Sequence, residues 1–320
     1  MSLPLKRNEN DPKMKHNFET TEQKKNQICK SFEKRCGTES LPRTSNDARL
    51  KTMHILKAEV NTSNKDKKTD GKESETDLLP KNSQLINPCE TLRCALNYIR
   101  QKNRDTILQG LGLVTQLSRS HPAMLEPHMK RINQTVCQQL NSTYTFAARY
   151  ACQAAKELFK TMQNTARPEF DEIVSRLLNR TADSNKLIRF DANSALDYMV
   201  LYISPISSVR ALVWRGPSHK NPLASIATAR LLLCIATIVG VNVLFTSAIY
   251  QKTRKRMLEA AAHLMDDTNL EAKNTAKSLF EMFVKDEHFE QLFYNEVDQK
   301  IVDRLHNTIT IMRYKDKANV

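Results

Sequence analysis

Glycine is scarce in this chain, with 6 among 320 residues, and there is a single tryptophan. A sheet-rich fold needs turn glycines, so their shortage beside 40% hydrophobic residues predicts an all-α core. The seven cysteines form no CxxC pair and no Cys/His set at metal-ligand spacing. With an opening, MSLPLKRNENDPK, that lacks an apolar signal core, they predict a reducing compartment, the cytoplasm. There is no HExxH, no nucleophile elbow and no glycine-rich phosphate loop, and the histidines are spread over different segments. The expectation is therefore no enzyme, no cofactor and no metal. Asp266–Asp267 reads as a solvated helix-end turn rather than a pair of catalytic carboxylates.

Negative charge is in deficit. Lys+Arg number 49 against 35 Asp+Glu, a net +14 that calls for an acidic partner. The first 86 residues contribute +5 and the remainder +9, so the part that folds is basic in its own right. Stretches such as Asn64–Glu75 hold too few apolar groups to offset the entropy of ordering. Residues 1–86 accordingly read as a disordered basic tail, with a weak helical pattern at Ala48–Val60.

What is present from Pro88 onward is helical periodicity broken at regular intervals. Leu92, Leu96 and Ile99 form one stripe, and after Arg100–Asp105 a second follows with Ile107, Leu111, Val114 and Leu117. Pro122 opens another pair of stripes, broken at Asn141–Thr145, and Pro168 a third, broken at Thr181–Lys186. Proline suits helix starts, where its missing N–H is no loss. A fourth pair spans Pro205–Gly240 with a break at Arg215–Pro222, a fifth Thr253–Val284 with a break at Asp266–Asn269, and a sixth His288–Ile311. A single such pair cannot bury both apolar faces on itself, so six in series predict an α solenoid over residues 87–312, followed by a tail at 313–320. Trp214, in register with Val209 and Leu212, reads as core.

Leu231–Ile249 carries no charge over 19 residues and has the hydropathy of a membrane span. Gly240–Val–Asn242 interrupts it, and a solenoid helix buried on most sides yields the same composition, so the sequence favours a core helix over a membrane.

In a solenoid of helix pairs the intra-pair turns align along one edge. Those turns carry Lys102 and Arg104, Tyr144 and Arg149, Lys186 and Arg189, His219 and Lys220, and Lys273: a row of cations fit for an acidic partner. Nucleic acid is disfavoured, because only Tyr144 offers a stacking ring there.

Spacings recur between the turns. Asp183 stands six residues before Arg189 with Ala192 three beyond, and Asp267 stands likewise before Lys273 and Ala276, a habit of HEAT repeats. With Ala148–Cys152, Ala182–Arg189, His219–Asn221 and Asp267–Lys273, the chain resembles the tumour-overexpressed-gene (TOG) domain. It is most similar to those of the cytoplasmic-linker-associated proteins and the array regulators of axonemal microtubules. The resemblance implies a HEAT-repeat paddle that binds tubulin or microtubules through its intra-repeat turns, here Lys102, Arg104, Tyr144, Arg149, Lys186, Arg189, His219, Lys220 and Lys273, without catalysis. It also implies a place in the cytoskeleton, the cilium included. The other reading is a HEAT scaffold for another protein, with no tubulin affinity. The chain departs from the family at three turns. Asn103–Arg104 stand where a Trp is usual, Ser225 where Arg is usual, and Lys273 where Arg is common.

Overall fold

Twelve principal helices follow one another in six pairs through residues 77–81 and 85–318, the part of the chain that this computed structural model describes. The pairs are α1 (Pro88–Tyr98) with α2 (Arg104–Ser120), α3 (Met129–Leu140) with α4 (Thr145–Thr161), and α5 (Glu169–Arg180) with α6 (Lys186–Tyr202). They continue as α7 (Pro205–Arg215) with α8 (Pro222–Val239), α9 (Gln251–Met265) with α10 (Leu270–Phe283), and α11 (Phe289–Glu296) with α12 (Gln299–Ala318). No strand occurs among the described residues. The expected tail at residues 1–86 lies outside them as far as residue 76. At the other end, α12 runs past the boundary expected at residue 312, because Arg313–Ala318 contains neither Gly nor Pro to stop it.

The helices form two layers. In one, α3, α5, α7 and α9 pack side by side; in the other, α2, α4, α6, α8 and α10 do the same. This is the all-α solenoid that the periodicity predicts. Contact between α4 and α6 is the most extensive in the molecule, and α4 meets it with Ala147, Ala148, Ala151, Ala154 and Ala155, all buried. Small side chains let the helix axes approach, and the close fit adds dispersion contacts.

Buried and half-buried arginines cross the seams of the second layer. Arg119 of α2 donates to Glu157 of α4 at 2.9 Å, and Arg149 of α4 to Asp191 of α6 at 2.7 Å. Arg230 of α8 reaches Asp197 of α6 at 2.6 Å. Burial opposes charge on Arg230, but Asp197 outweighs it and raises the guanidinium above its ordinary value. At the far end, Phe245, Phe280, Phe283, Phe289 and Phe293 pack ring against ring and lock the last two pairs together.

The apolar helix α8 is the one described helix long and apolar enough to cross a membrane, and 61% of its most apolar window is buried inside the protein. It lies between α6 and α10, which accounts for its apolar circumference. The uncharged run is not one helix. Gly240 ends α8 at φ 83°, a conformation that side chains with a Cβ rarely adopt, and a short helix, Val241–Thr246, follows.

Asp77–Lys81 form an extended strap on the second layer. The Leu78 N–H donates to Gln153 Oε1 at 2.7 Å, the Pro80 carbonyl accepts from Arg119 at 2.7 Å, and Leu79 is buried. Gly112 on α2 makes room for it, since a Cβ there would lie 2.5 Å from the Tyr150 hydroxyl and 3.1 Å from Pro80 Cγ. Gly112→Ala is expected to dislodge the strap at a cost of about 1–3 kcal/mol. Amide hydrogen exchange would report it as faster exchange at Leu78 with α6 unaffected; unchanged exchange at Leu78 would count against the close fit.

Candidate functional site

Five turns join the first five helix pairs, at residues 99–103, 141–144, 181–185, 216–221 and 266–269, and all leave the chain at one edge of the two layers. Each ends in the same backbone geometry. Asn103, Tyr144, Asn185, Asn221 and Asn269 precede their second-layer helices with φ from -96° to -72° and ψ from 113° to 126°. Four of the five are Asn whose side chain accepts an N–H of the first helical turn, for instance Leu187 N at 2.8 Å and Glu271 N at 2.9 Å. Two residues earlier a second acceptor holds the cap residue's own N–H. Asp183 takes Asn185 N at 2.9 Å, Asp267 takes Asn269 N at 2.8 Å, and His219 Nδ1 takes Asn221 N at 3.0 Å. The repeated Asp–x–Asn of the third and fifth turns is its signal in the sequence.

Most of the expected site residues come together on this edge. Lys102, Arg104, Tyr144, Lys186, Lys220 and Lys273 are exposed. Arg104 and Lys186 are the first residues of α2 and α6, where the helix dipole disfavours a cation by about 0.3–1 kcal/mol. No acidic residue occupies the first turn of α6 to offset that.

Three residues have structural duties. Arg189 is half-buried and donates to the Asp183 and Ser184 carbonyls at 2.9 and 2.8 Å, bracing its own turn. His219 donates from Nε2 to Asn179 Oδ1 at 2.6 Å while Nδ1 accepts, which fixes its tautomer. Arg149 is a correction to the expectation, since it is not on the edge. It lies 8% exposed in the α4–α6 seam, because it shares the face that carries Cys152 and Gln153 toward Asp191. Trp214 is corrected in the opposite sense, being 47% exposed with the Arg215 guanidinium 5.0 Å from its ring. The buried stripe of α7 runs through Ser208, Val209, Ala211 and Leu212 and leaves residue 214 outside.

Successive turns are tied to one another. The Arg104 guanidinium lies 4.8 Å over the Tyr144 ring, joining the first turn to the second. Arg180 donates to the Leu140 and Ser142 carbonyls, both at 2.6 Å, and to Asp183, joining the second to the third. His219 reaches back to Asn179, and Ser218 shares a 3.2 Å hydrogen bond with His263 of α9. The exposed cations thus sit on a pre-ordered frame, which lowers the entropy lost on binding. Partial burial raises the Glu271 carboxyl at the start of α10. Burial likewise pushes the Cys137 thiol up to about 11, so it packs as a neutral side chain.

The profile of the family described as CLASP N terminal matches residues 112–306. TOG array regulator of axonemal microtubules protein 1 of Mus musculus is 23% identical over 226 residues, covering 71% of this chain and 13% of that protein. Crescerin-like protein che-12 of Caenorhabditis elegans is 21% identical over 186 residues, covering 58% of this chain and 14% of that one. The chain therefore spans about one-seventh of the length of these relatives. Among solved structures, the TOG domain of C. elegans Zyg9 superposes with a TM-score of 0.51 at 12% identity, over 85% of this chain and 98% of that one, and shares the fold.

Proposed function

Because the chain belongs to the CLASP N-terminal family, we propose that its turn edge is a tubulin-binding surface and the chain a microtubule-binding module without catalysis. The observation that carries the reading is the alignment of Arg104, Lys186, Lys220 and Lys273, all exposed, at the first, third, fourth and fifth turns of one edge. Two of them, Arg104 and Lys186, are the first residues of their helices, where the helix dipole disfavours a cation. The relatives that bear the names of axonemal-microtubule regulators support a place in the cytoskeleton, the cilium included.

Purified full-length chain is expected to co-elute with tubulin on gel filtration, or to pellet with microtubules, at low salt. Affinity should fall as salt rises, because exposed charges are screened beyond about 8 Å at physiological ionic strength. No association at low salt would overturn the proposal. One observation favours the second reading, a scaffold for another protein without tubulin affinity: the first turn presents Asn103 and Arg104, with no Trp as a buried anchor. A scaffold partner bound through the helical faces would be indifferent to charge reversal at Lys273. Competition by RNA or DNA is expected to fail.

A further inference from the structure

Thirteen large apolar side chains are exposed among the described residues, and five of them lie within the first two turns, or at the cap, of second-layer helices. Tyr144 and Phe146 stand at the start of α4, Phe190 in the second turn of α6, Leu223 at the start of α8 and Leu270 at the start of α10. Their exposures run from 37% at Phe190 to 68% at Leu270. Single exposed apolar residues are ordinary; five gathered at the same end of four neighbouring helices are not. Helical side chains lean toward the helix N-terminus, so residues at the start of a second-layer helix project onto the turn edge. First-layer helices end at that edge, and their side chains lean away from it.

Each apolar group also has a cation beside it in the chain. Lys186 precedes Phe190, Lys220 precedes Leu223 and Lys273 follows Leu270, while Arg104 lies over Tyr144. Tyr144 and Phe146 extend the patch as a ring pair 6.4 Å between centroids. With neighbouring helices about 8–10 Å apart, the stripe runs roughly 30 Å.

We infer that the edge is a two-component surface in which Tyr144, Phe146, Phe190, Leu223 and Leu270 bury apolar area against the partner while the adjacent cations set its orientation. The partner it fits is a folded protein face that is acidic and carries apolar hollows at about the spacing of neighbouring helices. A phosphate backbone would have no use for Leu223 and Leu270, since aliphatic side chains do not stack bases. The aliphatic pair on the fourth and fifth turns also supplies anchoring area that the first turn lacks. The inference rests on the reading of the edge as a tubulin-binding surface and assigns its specificity residues.

The test is a tubulin titration of the full chain and of a Leu223→Ser/Leu270→Ser variant across a range of salt concentrations. Both leucines are exposed, so the melting temperature should not move. The expected result is a loss of about tenfold or more in affinity at every salt concentration, with the salt slope of the parent retained. Charge reversal on the same edge should instead change the slope. A parent chain that binds, with a double variant within twofold of it, overturns this inference and leaves the edge reading standing. A parent chain that does not bind tubulin overturns both.

Discussion

Lys186→Glu is expected to weaken tubulin binding by about 30-fold or more while leaving the fold intact. The substitution places a negative charge at the centre of the edge, and like charges brought together at an interface cost several kcal/mol, of which about 2 suffice for that factor. Toward the dipole of α6 the same change is favourable. An acidic residue at the first position of α6 interacts well with the helix dipole, by about 0.3–1 kcal/mol, where Lys186 does not. Thermal stability should therefore hold or rise slightly as binding disappears, a combination that a partly unfolded protein cannot give. Arg189→Glu is a poorer probe, because it also removes the donors to the Asp183 and Ser184 carbonyls. Isothermal titration beside a circular-dichroism melt checks both halves. An affinity unchanged in Lys186→Glu would favour the scaffold reading.

Asp191→Ala should have the largest effect on stability. It strips the buried Arg149 guanidinium of its carboxylate and leaves Gln153 Nε2 without the Asp191 oxygen that it reaches at 3.1 Å. Removing one partner of a buried pair costs about 3–5 kcal/mol, most of it for the stranded charge. For a solenoid of this length each kcal/mol lowers the melting temperature by about 2–4 °C, so a drop of about 10 °C is expected. Replacing both partners with apolar residues, Arg149→Met with Asp191→Leu, should recover most of that loss. A drop of less than about 3 °C for Asp191→Ala would show that water reaches the seam.

The helix pairs were legible because each apolar stripe is long enough to show its period and because proline or a polar break marks the joints. The site was legible only in part. Lys102, Arg104, Lys186, Lys220 and Lys273 could be placed from the turns, since polar residues within a turn or in the first helical turn after it have few places to go but outward. Arg149 could not, because one helical turn farther along the face a residue occupies depends on the neighbouring helix, and here α6 offers Asp191. Trp214 misled for a related reason: a bulky apolar residue near two buried ones reads as core, yet its angular position lies outside the stripe. Leu223 and Leu270 drew no notice in the sequence, since an apolar residue at a helix start is normally counted as core. Nor could five residues at Asp77–Lys81 show a period; what holds them is a groove built by helices not yet read.

That groove also fixes an order of events. The salt bridges across the second-layer seams join residues 33 to 42 positions apart, as expected of a chain that adds one pair to the last. The Leu78 bond to Gln153 spans 75. Its receptor does not exist until α2 and α4 have come together, so the strap is made first and docks late, closing the longest of these loops. Being the last contact to form at the first two pairs, it should also be the first to open there, before either helix is disturbed.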